Sequence, residues 1–571
     1  MKKYQKIIIL SVVLFISAFA IFMIIKTVIE TFGEKKESAY LASSTPMVQL
    51  YKDASSTEKD KIDLKEDKKI ARGTSLTVYE KEYKKEDKLY KRIKIKDATY
   101  YVEKQYLTTE KNKIVQEKEV YVRTPAVIYF KENDSSIVTS TKKGDALQVE
   151  GYTSLKADGT VEMYKVSYQN KPGYIYAKYT VLTMEEATQV YNENGIADIH
   201  SARTDRYGGG NGGSLDYYPV EKTKIKGNTM PTEARTLYIN ASVVQKIDDY
   251  ILFAKENNIN AFVIDVKENT IPAYTSPVMS ELSPSNYKKA VNTFDNYKKY
   301  IKRAKDAGIY VIGRISTFKD QYYVVDHPED AILDTRTNKP FLHNGSYWPS
   351  PFSRNVWEYN VKLAVEAVQE MGFQEIQFDY VRFPDGTGTA EKSGAMDLRN
   401  GYGEEKAMAI QAFLMYAKDE LRKVGAYISA DVFGESASEY VAAYGQYWPA
   451  ISNVVDVISA MPYPDHFNKN EFGISVPVWT VPYQLLKTWG TNYAAKRQAE
   501  IPTPAIVRTW IQAYNSIKEP YVVYDATKVS EQIQGLYESG LTGGYITWNA
   551  GSSLDKYKQI APAFKKEYSN E

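Results

Sequence analysis

The chain has no cysteine and only four histidines. Without thiols there is no disulfide, zinc–thiolate site, iron–sulfur cluster or cysteine nucleophile. No two of the histidines, His200, His327, His343 and His466, are spaced to ligate one metal from a single helix. That argues against a histidine-rich metallohydrolase, and neither a metal nor a cofactor is expected. An excess of one charge is missing too: 73 Lys and Arg face 71 Asp and Glu. This balance speaks against a nucleic acid or polyanionic partner. What is abundant is tyrosine, at 49 residues, with 7 tryptophans beside it. Such rings stack on sugars, but they also fill ordinary cores. At 571 residues the chain exceeds what one core organises, so several domains are expected.

One long apolar run occurs. Residues 7–25 carry only Ser11 and Ser17 as polar members, and Lys2, Lys3 and Lys6 precede them. Nineteen helical residues cover about 28 Å, enough to cross a hydrocarbon core of roughly 30 Å. The positive flank predicts a cytoplasmic N-terminus and an exported remainder. The expectation is thus a single-pass cell-membrane protein, anchored in the lipid bilayer through residues 7–25, with its bulk extracellular. A cleaved signal peptide is the competing reading, because Ala18-Phe19-Ala20 fits a small-x-small site.

Residues 46–183 hold an internal repeat. Arg72-Gly73, Leu76, Val78, Tyr90-Lys91 and Tyr100-Tyr101-Val102 answer to Lys143-Gly144, Leu147, Val149, Tyr164-Lys165 and Gly173-Tyr174-Ile175-Tyr176. Short alternating strands broken by Gly, Asn and Asp predict small all-β units. The Lys143-Gly144-Asp145 turn and the Gly173-Tyr174-Ile175-Tyr176 strand resemble bacterial SH3-like domains of cell-wall proteins. That resemblance implies either a cell-wall polymer as partner or a spacer role. A glycine-rich stretch at 208–213 lacks the Gly-Lys-Ser/Thr of a phosphate loop and reads as linker.

From about 234 onward, apolar strands alternate with helical periodicity. The strands are expected at 236–241, 261–266, 310–315, 375–381, 427–432, 455–461, 505–511 and 544–548. Eight β units with helices between them predict a closed parallel (β/α)8, or TIM, barrel. No Gly-x-Gly-x-x-Gly follows the first strand, which argues against an open dinucleotide-binding sheet. The expected architecture is therefore multidomain. An anchor occupies 1–30, two SH3-like units occupy 46–110 and 115–185, a linker covers 186–230 and the barrel spans 231–571.

In such barrels chemistry gathers where strands run into their following loops. Those ends carry Asp265, Lys267, Arg314, Asp379, Arg382, Asp431, Glu435, Tyr463, Asp465, His466, Trp510, Gln512, Trp548 and Asn549. Strand alternation turns Gln377 and Asp379 inward on one strand, and Ser429 and Asp431 inward on the next. Two carboxylates at neighbouring strand ends suit glycosidic hydrolysis, one charged and one holding a proton. Asp and Arg at strand ends also form purely structural ion pairs, so the pattern alone does not fix a role.

The stretch Gly372-Phe-Gln-Glu-Ile-Gln-Phe-Asp-Tyr-Val-Arg-Phe-Pro384 resembles a glycoside hydrolase barrel family distantly similar to the α-amylase-like enzymes. Asn260–Lys267, Gly313–Asp320, Ser429–Gly434, Met461–His466 and Thr547–Ala550 agree with it in order, so the resemblance covers about 230–555. It implies Asp379 as nucleophile or charge stabiliser and Asp431 as general acid/base, with Arg314 and Arg382 holding Asp379 ionised. The remaining strand-end residues would bind a cell-envelope or extracellular polysaccharide. A barrel that binds sugar without cutting it, as an envelope scaffold, is the alternative.

Overall fold

The computed structural model describes residues 16–23, 35–54, 62–203, 205, 207–222 and 224–569. The chain divides into two compact units. One comprises residues up to 123 together with 144–187, and the other 124–143 together with 188–571.

The first unit is β-rich. Strands between Lys36 and Thr108 form one seven-stranded sheet. Glu119–Val122, Ala146–Tyr152, Met163–Tyr168, Lys171–Tyr176 and Thr180–Val181 form a second antiparallel set. The repeat noted in sequence has a backbone cause. Gly73 and Gly144 each take up a left-handed turn, at φ 81° and 85°, where a Cβ is disfavoured. A buried Arg72–Glu117 pair at 2.6 Å joins the sheets, since Arg72 Nε also donates to Gly159 O and Tyr164 OH donates to Glu117.

The second unit is built on a parallel sheet. Its strands are β1 (Ala234–Ile239), β2 (Ala261–Lys267), β3 (Tyr310–Ser316), β4 (Glu375–Asp379), β5 (Tyr427–Phe433), β6 (Val457–Met461), β7 (Ile506–Val507), β8 (Thr509–Gln512) and β9 (Gly544–Trp548). The sheet order is β7-β6-β5-β4-β3-β2-β1-β9-β8. β2 and β3 are buried at every position, as strands covered on both faces must be. The helices between them are amphipathic. Phe294–Asp306 turns Tyr297, Ile301 and Ala304 inward, and Thr293 caps its start by accepting from Asn296 N. The hairpin Val127–Tyr129/Ile137–Ser140 belongs to this unit. Ile137 N donates to Glu358 Oε1 at 2.6 Å, Arg354 Nε to Ser140 Oγ at 2.8 Å, and Tyr416 OH to Ser135 O at 2.5 Å.

Two expectations are corrected here. The fold is not an eight-stranded barrel behind two SH3-like units and a transmembrane helix. It is a nearly closed parallel barrel of nine strands, behind a region that is simply β-rich. The extra strand arises because the stretch expected at 505–511 breaks at Arg508. Ile506–Val507 pairs with β6, whereas Thr509–Gln512 pairs with β9. The membrane anchor, and with it the single-pass localisation, is overturned: among the described residues no helix is long and apolar enough to cross a membrane. Of residues 7–25 only 16–23 are described, as helix. The rest of the expected span lies outside the described residues.

Polar layers fill the barrel interior. β4 turns Glu375, Gln377 and Asp379 inward, while Phe378 faces Phe413 of the helix Lys406–Lys423, with ring centroids 5.2 Å apart. Glu375 meets Arg508 at 2.9 Å with both side chains fully buried, and Tyr310 OH also donates to Glu375. Gln377 Nε2 donates to Ser459 Oγ one layer higher. Breaking a buried pair strands one charge, at about 3–5 kcal/mol, whereas an apolar replacement of both members is far milder. Arg508→Met should therefore destabilise the barrel by about that amount, and the double variant Glu375→Met/Arg508→Met by clearly less. Urea unfolding followed by tryptophan fluorescence checks this. All seven tryptophans lie between Trp348 and Trp548, so the signal reports the barrel alone.

Candidate active site

A cavity of about 460 Å³ opens at the C-terminal ends of the strands. Its organising group is Arg314 from β3. Nη1 donates to Asp265 Oδ1 and Glu268 Oε2, both at 2.7 Å. Nε and Nη2 donate to Asp379 Oδ2 at 3.0 and 2.5 Å. Three carboxylates from the ends of β2 and β4 thus converge on one guanidinium. The aromatic rings of Tyr238 and Trp548 flank it, at 5.6 and 5.7 Å from the guanidinium carbon.

Asp379 lines the cavity, and its Oδ1 accepts from Tyr380 N at 2.6 Å. Tyr380 sits at φ 48°, a left-handed backbone that is costly for a bulky side chain and tends to cluster at functional sites. Asp431, two residues before the end of β5, is different. It is wholly buried and does not line the cavity. Trp510 Nε1 donates to its Oδ1 at 2.8 Å, while Oδ2 has no hydrogen-bond partner and lies 4.0 Å from Arg314 Nε. Because Asp379 Oδ2 is 3.0 Å from the same Nε, the two carboxylate oxygens are no more than 7.0 Å apart, the sum of these distances.

Burial divides these acids by charge. Loss of solvent pushes the Asp431 carboxyl well above the usual carboxylate range, Asp379 adds repulsion, and Arg314 only partly offsets both. Burial likewise raises Asp265, to about 6, against the pull of Arg314. At Glu268 burial works against the charge, but Arg314 and the Asn269 N–H outweigh it, so this carboxyl is lowered.

Of the residues singled out in sequence, the cavity brings together Asp265, Arg314, Asp379, Arg382, Tyr463, His466, Trp510 and Trp548. Others go elsewhere. Lys267 was expected beside Asp265, yet a register shift between them breaks the alternation. Its Nζ instead reaches Asp320 at 2.6 Å and lies over Tyr359, and burial lowers its pKa. The same bulge brings Glu268 into the cavity, which alternation alone did not indicate. Arg382 does not hold Asp379; it donates to Asp385 at 2.9 Å and stacks on Phe433 at 4.3 Å. Gln512 accepts from Asp465 N, and Asn549 donates to Ala513 O, so both tie loops together. Asp465 is buried and accepts from Tyr514 OH and Ile517 N. Glu435 accepts from Tyr440 and Tyr444 beside a second cavity. Tyr238, Asn240, Phe433 and Met461 also line the first cavity. Sequence gave no signal for them beyond their places at strand ends.

Carboxylates, two guanidiniums and indole rings thus gather at the mouth of a parallel barrel. The chain belongs to the family described as "Putative glycosyl hydrolase domain", whose model matches residues 236–554, more than half of it. No curated protein matches. Among solved structures, a hypothetical protein from Ruminiclostridium thermocellum is 33% identical at a TM-score of 0.29, covering 34% of this chain and 97% of that one. The PgaB (BpsB) glycoside hydrolase domain from Bordetella bronchiseptica is 13% identical at 0.42, covering 59% and 99%. A beta-N-acetylhexosaminidase from Bacteroides fragilis is 13% identical at 0.40, covering 59% and 67%.

The raised Asp431 carboxyl makes stability depend on pH. Its folded pKa exceeds the unfolded one, so its contribution is complete below the ordinary carboxylate range and is lost as pH rises through the folded value. Asp431→Asn keeps the acceptor for Trp510 and cannot ionise. At neutral pH this variant should melt above the wild type, and near pH 4 the gap should close. Fluorescence-detected melting at the two pH values checks this.

Proposed function

We propose that the barrel hydrolyses glycosidic bonds of a polysaccharide, with Asp379 as nucleophile or charge stabiliser and Asp431 as general acid/base. One observation carries the reading: two carboxyl groups no more than 7.0 Å apart stand in opposite environments. Asp379 is ion-paired with Arg314 at the cavity wall, and Asp431 is buried against Trp510 with its pKa raised. Two-carboxylate hydrolysis needs that division, with separations of roughly 5–9.5 Å. In the reaction the Asp379 carboxylate faces the anomeric carbon, and Asp431 gives its proton from Oδ2 to the leaving oxygen. Trp548 and Tyr463, with centroids 6.4 Å apart, offer stacking faces for the sugar. Asp265 and Glu268 would accept from sugar hydroxyls. Restriction to envelope polymers followed from the anchor and is not carried forward. The N-terminal sheets would act as polymer-binding units or spacers.

A second reading has its own support. Asp431 lies behind Trp510, outside the cavity lining. Proton delivery therefore requires the floor to open around that indole, and a barrel that kept it shut would bind sugar without cutting it.

The full chain, given starch, chitin, chitosan, mixed β-glucan and purified wall glycan in turn, should release reducing sugar from at least one. Asp379→Asn should lower that release by roughly a thousandfold or more, and turnover unchanged in this variant would remove the mechanism. Saturable binding without product from any polymer would favour the second reading.

A further inference from the structure

A second cavity, of about 680 Å³, lies beside the first. Phe433, Met461 and His466 line both, so the two share one wall. Beyond that wall stand Phe467, Phe472 and Tyr493 in an edge-to-face row, with centroids 5.0 and 4.9 Å apart. The loop presenting Phe472 is held in an unfavourable backbone. Asn470 sits at φ 64°, Phe472 at 55° and Gly473 at 73°. Phe472, a bulky residue in a left-handed conformation, carries a cost in free energy, and its ring stands at the cavity edge. Ile517, 71% exposed, continues the apolar rim.

The charge of this cavity is one-sided. Asp385, Glu435, Asp465 and Glu471 line it against Lys518. Lys518 Nζ donates to Phe467 O at 2.9 Å, and burial lowers the His466 imidazole. Asp385 is offset by Arg382, and Asp465 is spent on Tyr514 and Ile517. Glu435 accepts from Tyr440 and Tyr444 and Glu471 from Asn468, but among the described residues neither is ion-paired with a cation, and both line the cavity. Aromatic faces suit the apolar faces of pyranose rings, and uncompensated carboxylates suit an ammonium group.

Resting on the glycosidase reading above, we propose that this second cavity is a subsite for the continuing polymer chain, stacking its next sugars on Phe472 and Tyr493 and preferring amine-bearing sugars through Glu435 and Glu471. The occupant follows from continuity, because the second cavity adjoins the first across a shared wall and lies where a chain whose cut sugar fills the first can continue. A polymer cut internally fills both cavities.

Binding is measured by calorimetry at a pH of about 6, where sugar amines and carboxylates both carry charge. The full chain carries Asp379→Asn so that no probe is consumed. The probes are β-1,4-linked glucosamine as dimer and hexamer, and the N-acetylated hexamer. The glucosamine hexamer should bind at least about tenfold more tightly than its dimer and than the acetylated hexamer. Phe472→Ala should remove the advantage of length, and Glu435→Gln/Glu471→Gln the advantage of the amine, which salt should also weaken. Tyr493→Ala serves should Phe472→Ala fail to melt like the parent. Absence of hexamer binding, equal binding of the two hexamers, or affinities untouched by these substitutions would overturn the subsite. Turnover is a separate readout. A wild type that cuts no polymer while the hexamer preference holds defeats the catalytic reading and leaves the subsite standing.

Discussion

One guanidinium holds the mouth of the barrel together. Arg314 rises from the interior of β3 and is gripped by Asp265, Glu268 and Asp379, with Asp431 at the edge of its reach. Four acids confined to one barrel mouth would repel each other strongly in a medium of low polarity. A single central cation makes their proximity tolerable, though it cannot neutralise all of them. Burial raises Asp431 and Asp265, whereas at Glu268 the pull of Arg314 and the Asn269 N–H outweighs it and the carboxyl is lowered. The arginine therefore does more than position Asp379: it opposes the effect of burial on each carboxyl around it.

The depth of each acid is set by strand geometry. Asp379 ends β4 with its backbone turning sharply at Tyr380, which tips the carboxylate to the cavity wall. Asp431 lies within β5, two residues before its end, and remains under Trp510. Burial gives it the raised pKa that a proton donor needs and withholds it from solvent in the same step. The polar core beneath, with Gln377, Ser459 and the Glu375–Arg508 pair, keeps β4 and β5 from being filled by apolar side chains alone.

Much of this was legible from residue order. The stretches expected as barrel strands lie within two residues of the strands found, because fully buried parallel strands leave short apolar runs in the sequence. The inward faces of Gln377, Asp379, Ser429 and Asp431 followed from alternation. Alternation failed at Lys267, where one extra residue reverses the faces and trades a lysine for Glu268 in the cavity. It also gave no warning that Arg508 divides a strand, since the break lies in hydrogen bonding to two different neighbours rather than in residue type. Arg382 misled for a related reason. The family resemblance implied that it holds Asp379 ionised, but Asp385 and the ring of Phe433 compete for it successfully. The apolar run at 7–25 was judged on composition alone, and no helix among the described residues is long and apolar enough to cross a membrane.

The hairpin within residues 124–143 lies against the helices Arg354–Glu366 and Lys406–Lys423, although the chain between it and the barrel returns to the β-rich unit. The unit that carries the barrel is consequently not one contiguous stretch of gene. A recombination event that transplanted residues 188 onward would leave behind the backbone carbonyl of Ser135, the amide of Ile137 and the hydroxyl of Ser140, and with them the partners of Tyr416, Glu358 and Arg354. Front and rear segments of this chain are inherited together, or the rear one arrives with its outer helices unclasped.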